Sequence, residues 1–216
     1  MNTDDIPAVN KALKREYESH NAPIIELIQA QTRSPFKVLV GTILSARTKD
    51  ETTAAAVRKL FAKVSTPADL QKLTVKQIEK LIFPVGFYRV KAKHLKKLPE
   101  VLEREFDGKI PDTIDELCRL PGVGRKTANL VVTVAFDKYG ICVDIHVHRI
   151  SNRLGLINTN TPLESEMKLR EILPKRYWKN WNSYLVSFGQ TLCKPVSPHC
   201  HRCPITKYCN TFHSNT

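Results

Sequence analysis

Apolar residues return every three or four positions through most of this sequence, and strict alternation is nearly absent. The stretches "IIELIQA" (24–30), "SPFKVLVGTILSA" (34–46), "DETTAAAVRKLFAKV" (50–64), "TVKQIEKLI" (74–82), "RVKAKHLKKLPEVLEREF" (89–106) and "TIDELCRL" (113–120) each place apolar side chains on one face of a helix. Their starts carry residues that satisfy free N–H groups: Ser34 followed by Pro35, then Asp50, Thr74 and Thr113. Only "YGICVDIHV" (139–147) approaches the alternation of a strand. It lies between two helical patterns, so an extended loop explains it as well. The pattern predicts an all-α protein.

A chain of 216 residues can form one domain or two small ones. It can bury roughly 70% of its unfolded surface, so disulfides are not needed for folding. Charge changes the picture more. Lysine and arginine number 34 against 21 aspartate and glutamate, a formal net charge of +13. That excess suits a polyanion, since cations near phosphates release condensed counterions. An anionic membrane surface would attract the same charge, so composition alone does not choose. The longest apolar runs, "VLVGTILSA" and "LVVTVAF", are too short to span a bilayer, and residues 1–20 lack the apolar run of a signal peptide. The expectation is a soluble intracellular protein, in the cytoplasm or nucleoid if its source is a prokaryote. Six cysteines in that setting point to metal or buried thiols rather than to a disulfide framework. The basic segment "RVKAKHLKK" (89–97) reads most simply as the solvated face of a helix.

"PDTIDELCRL-PGVG-RKTANLVVTVAF" (111–136) reads as helix, tight turn, helix. Gly122 and Gly124 permit positive φ and a close ligand approach, and Val123 lies between them. Free N–H groups at the start of the second helix, with Arg125 beside them, would form an anion site suited to a phosphate. The plain alternative is an ordinary turn in which Pro and Gly only break the helix. Lys126 adds a reason to prefer the first. It sits in the first helical turn, where the dipole and Arg125 both disfavour a cation, and the neutral amine is the nucleophilic form.

Asp144 lies in the apolar context of Val143 and Ile145. A carboxylate there could stabilise charge on a sugar or move a proton, and it could equally cap the helix "IHVHRISNRLGL" or pair with Arg149 or Arg153. His146 and His148 stand two apart, so on a helix they face different sides and do not form a metal pair. In the tail, Cys193, Cys200, Cys203 and Cys209 are separated by six, two and five residues. Four thiolates so spaced can wrap one metal centre, either zinc or an iron–sulfur cluster. Cys118 and Cys142 fall in apolar settings and are expected to be buried.

Taken together, "LPGVGRKTAN" (120–129), "VDIHVHRISNRLG" (143–155) and the C-x6-C-x2-C-x5-C tail resemble the endonuclease III family, helix-hairpin-helix DNA glycosylases with an iron–sulfur cluster. "SPFKVLVGTILSARTKD" (34–50) and "VGFYRVKAKHL" (85–95) fall in the family's order, and the likeness runs from about residue 20 to 210. The resemblance implies a two-lobed fold: a six-helix domain over 28–138 that holds the hairpin, and a cluster domain of 1–27 plus 139–216. It implies a bifunctional repair enzyme acting on oxidised pyrimidines or abasic sites in duplex DNA. Lys126 would be the nucleophile that forms a Schiff base at C1′, with β-elimination cutting 3′ to the site. Asp144 would assist base departure. Cys193, Cys200, Cys203 and Cys209 would hold a [4Fe–4S] cluster, which decides between the two metals. Gly122, Val123, Gly124 and Arg125 would grip the DNA backbone, while Arg47 and Phe87 would fill the gap left by the extruded nucleotide. A monomer without membrane association is implied as well.

The sequence departs from the family at two places. Arg47 stands where glutamine is often found, which leaves lesion preference open, and the loop "KPVSPH" (194–199) has one lysine where relatives often carry several basic residues. A sibling reading is a glycosylase for thymine or uracil opposite guanine. A reading from another class is a non-catalytic DNA-binding module that uses the hairpin for phosphate only.

Overall fold

The structure, a computed structural model, describes residues 1–19, 28 and 30–214. In chain order the α-helices are α1 (Ile6–Glu18), α2 (Pro35–Ser45), α3 (Asp50–Phe61), α4 (Pro67–Lys72), α5 (Val75–Ile82) and α6 (Tyr88–Phe106). There follow α7 (Ile114–Leu117), α8 (Arg125–Phe136), α9 (Ile145–Leu154), α10 (Pro162–Ile172), α11 (Trp178–Thr191) and α12 (Asn210–Ser214). The regular elements among the described residues are all helical. The chain divides into two compact units, Ala22–Lys138 and Met1–Asn21 with Tyr139–Thr216. The predicted segment 24–30 lies outside the described residues except for Ile28 and Ala30.

Within the unit Ala22–Lys138, local chemistry starts most helices. Ser34 accepts the Lys37 N–H at 3.3 Å with Pro35 in the first turn of α2. Thr66 with Asp69, and Thr74 with Gln77, form reciprocal capping boxes at α4 and α5. Asp50 behaves differently from the expectation. Helix α3 begins at Asp50 itself, Lys49 occupies the cap position without a side-chain bond, and the carboxylates of Asp50 and Glu51 sit against the positive helix end. Helix α2 is buried from Val38 to Leu44 and packs on α8. Around it, Leu60, Leu70, Ile78, Ile82, Leu95 and Leu98 are fully buried. Each such side chain contributes about 1.5–3 kcal/mol by leaving water. Cys118 is exposed rather than buried. Helix α7 is a single turn that ends at Leu117, so Cys118 falls on its C-cap and turns away from the core.

In the second unit α1 packs on α11, and α11 packs on α9. Ile6, Leu13, Trp181 and Phe188 form the centre of this core. The Trp178 indole donates to the Leu173 carbonyl at 2.7 Å, which satisfies its one buried donor. Residues 139–144, where alternation hinted at a strand, form an extended loop. Ile141, Cys142 and Val143 are buried in it, and the Asn182 amide donates to the Cys142 carbonyl at 3.0 Å. A side-chain amide replaces the missing sheet partner.

Candidate functional site

The hairpin is built on Leu120 and Val123, whose side chains enter the core of their unit at 2% and 7% exposure. The Val123 N–H donates to the Leu120 carbonyl at 3.2 Å and closes the turn. Gly122 has φ +77°, and a Cβ there would lie 2.6 Å from the His94 Nδ1. Both the conformation and the contact require glycine. Gly124 is the N-cap of α8 in extended conformation, and a Cβ on it would meet nothing within 4 Å. The space beside the N-terminus of α8 is therefore open to an incoming group.

Arg125 and Lys126 are the first two residues of α8, whose first turn holds no acidic residue. The Arg125 guanidinium stands 3.7 Å from the Asp115 carboxylate, and Lys126 is exposed. A positive helix end and two cations thus share one turn, an arrangement that favours a bound anion.

Two further loops in the same unit end in strained residues. Arg47 has φ 54° and Phe87 has φ 57°, a left-handed conformation that costs a non-glycine residue about 1–2 kcal/mol. Both side chains are exposed, Phe87 at 61%. The Arg47 guanidinium lies 5.6 Å from the centroid of the Phe87 ring, within cation–π range. Beneath them Lys91 is 7% exposed. Its ammonium donates to the carbonyls of Leu44 and Ala46 and to the Thr48 hydroxyl. The basic face read as solvated is so for Lys93 and Lys97, but Lys91 is turned inward.

In the unit Met1–Asn21 with Tyr139–Thr216, Asp144 is the N-cap of α9. Its Oδ1 accepts the N–H groups of His146 at 2.8 Å and Val147 at 2.9 Å. His148 Nδ1 lies 2.7 Å from the Ser165 hydroxyl, and His146 Nδ1 lies 3.2 Å from Arg149, so the two histidines serve different neighbours.

The four tail cysteines are without disulfides and line one cavity of about 360 Å³, together with Ile150, Phe188 and Phe212 among others. Burial pushes the Cys203 thiol up to about 11 and raises Cys209 as well. Two arginines that sequence reading assigned only to a possible pairing with Asp144 brace this loop. Arg149 donates to the carbonyls of Gly189 and Cys193, and Arg153 donates to the Cys193 sulfur and to the carbonyls of Lys194 and Pro195. Among the described residues, no three His, Cys, Asp or Glu side chains are gathered to hold a single metal ion. No helix among them is long and apolar enough to cross a membrane.

The family profile of the HhH-GPD superfamily base excision DNA repair proteins matches residues 40–175. Endonuclease III of Thermotoga maritima is 44% identical over 178 residues, which is 82% of this chain and 84% of that protein. The chain belongs to the endonuclease III family. A solved structure of a non-covalent endonuclease III–DNA complex matches with a TM-score of 0.87 and 34% identity, over 100% of this chain and 98% of the other. A trapped endonuclease III–DNA covalent intermediate, in an estranged-adenine complex, matches with a TM-score of 0.81 and 34% identity, covering 97% of each chain.

Proposed function

We infer that this protein is a base-excision-repair DNA glycosylase with abasic-site lyase activity, acting on duplex DNA that carries a damaged base or an abasic site. One observation carries the residue-level reading. An exposed primary amine, Lys126, stands two residues beyond Gly124, beside the open space at the α8 N-terminus. A backbone phosphate held by those N–H groups would bring a deoxyribose within reach of the amine. The covalent nature of the family intermediate with DNA supports a nucleophilic side chain over simple binding.

In this reading the Lys126 amine attacks C1′ of an extruded nucleotide, and the N-glycosidic bond breaks as the base leaves with the electron pair. Loss of a proton from nitrogen and ring opening yield a Schiff base. Removal of a C2′ proton then expels the 3′ phosphate by β-elimination. Asp144, anchored through Oδ1, would stabilise positive charge on the sugar as the base departs. The substrate class we favour is the oxidised pyrimidine, whose lost stacking lowers the cost of extrusion. Arg47 and Phe87 would occupy the vacated place in the duplex.

The tail fits a [4Fe–4S] cluster held by Cys193, Cys200, Cys203 and Cys209. All four cysteines line one cavity of about 360 Å³, which has room for several atoms, and all four are free of disulfides. When bound, the cluster supplies four iron–thiolate bonds that cross-link the tail.

Borohydride reduction tests the reading. Wild-type protein should be trapped covalently on oligonucleotides containing thymine glycol or an abasic site, and Lys126→Ala should not be. Equal trapping of the alanine variant would remove Lys126 from its role. Activity confined to thymine or uracil opposite guanine would shift the substrate to mismatches, and binding without any strand cleavage would leave only a DNA-binding module.

A further inference from the structure

Buried lysine is expensive unless its donors are used, and Lys91 uses all three. Its Nζ lies 2.8 Å from the Leu44 carbonyl and 2.6 Å from the Ala46 carbonyl, at the C-terminal end of α2 where carbonyls lack helical partners. The third donor reaches the Thr48 hydroxyl at 3.3 Å. Thr48 in turn donates to Ala46 at 3.3 Å and accepts the Gly86 N–H at 3.1 Å. This hydroxyl therefore has its one proton and both lone pairs engaged, and it ties the turn carrying Arg47 to the loop carrying Phe87.

The two exposed tips depend on that tie. Arg47 lies between Ala46 and Thr48, both held by Lys91, and Phe87 follows Gly86, held by Thr48. Each tip residue is in the left-handed region, where a chain released from its tethers would relax. Burial lowers the amine pKa to about 8, yet near neutral pH the group is still mainly the three-donor ammonium.

We propose that Lys91 is the positioning residue of a two-loop wedge, holding Arg47 over Phe87 so that both enter the duplex together when the damaged nucleotide is extruded. The proposal rests on the repair reading above and adds to it a residue that never touches DNA. Its signature is selective. A wedge matters where the lesion must be pulled from a paired, stacked helix, and little where the lesion already lies in an unpaired bubble.

The experiment compares excision rates on a fully paired lesion duplex and on the same lesion in a bubble, for wild type, K91M and K91R. Methionine keeps the unbranched apolar stem but has no donor. K91M should lose about tenfold on the paired duplex and little on the bubble, a partial loss of the help given to extrusion. K91R keeps the charge but not the compact three-donor geometry, and it should rescue the paired rate only in part. A 2-aminopurine placed opposite the lesion should brighten less with K91M than with wild type at saturating protein. In an R47A/F87A background, adding K91M should leave the paired-to-bubble ratio unchanged. An unaltered ratio in folded K91M overturns the proposal. If K91M does not fold, T48V decides: it keeps the ammonium's backbone contacts and removes the tie to Gly86, so a wild-type ratio there also overturns it. Wild-type protein inactive on every lesion would instead sink the repair reading itself.

Discussion

A Cβ added to Gly86 would lie 2.6 Å from the carbonyl oxygen of Arg47, so the two exposed loops meet at a glycine that has no room to be anything else. The obstructing atom is backbone, which moves only if the loop moves. Gly86→Ala should therefore separate the loops and cost about 1–3 kcal/mol. Thermal unfolding should show the loss, and excision from paired duplex should fall more than binding to undamaged DNA. Wild-type stability in G86A would mean the loops are free to part.

The hairpin glycine makes two separable demands. Gly122→Ala meets the His94 ring at 2.6 Å and also places alanine at φ +77°. The backbone term is about 1–2 kcal/mol. Adding His94→Ala should restore the steric part of the stability and leave that backbone part. A double-mutant cycle in urea measures the division, and strict additivity would remove His94 from the account.

Asp144 carries both a cap and a charge, and asparagine divides them. Asn caps helices about as well as Asp, so Asp144→Asn should cost only the charge–dipole contribution, about 0.5 kcal/mol. Base excision should still fall by about a hundredfold or more if the carboxylate serves the departing base. Asp144→Ala should add about 1 kcal/mol of instability. A fully active D144N, checked by single-turnover kinetics, would reduce Asp144 to a structural cap.

For the tail, the prediction is spectroscopic. Protein prepared without oxygen should be brown with broad visible absorption, and Cys203→Ser should lose that colour and unfold several degrees lower. Colourless wild-type protein containing zinc would overturn the cluster assignment.

Much of this molecule was legible in one dimension because its determinants lie close together along the chain. Ser34 reaches Lys37, Thr74 reaches Gln77 and Asp144 reaches His146 and Val147, each within one helical turn. The hairpin and its lysine are contiguous, so glycine, turn and helix start could be read directly from residues 120 to 128. Local patterns gave less at the margins. Asp50 begins its helix instead of capping it, and Cys118 turns outward because α7 ends after a single turn.

What the sequence could not reveal is where distant carbonyls end up. Lys91 belongs to a basic helix face, and nothing in its neighbours marks it for burial; it is drawn inward by oxygens of Leu44 and Ala46, 47 and 45 residues earlier. Arg149 and Arg153 are held likewise by carbonyls about 40 residues away in the cysteine loop. Periodicity and capping act over three or four residues and leave their trace in residue order. A backbone carbonyl has no sequence identity, so a side chain that serves one at long range can be recognised only after the chain has folded.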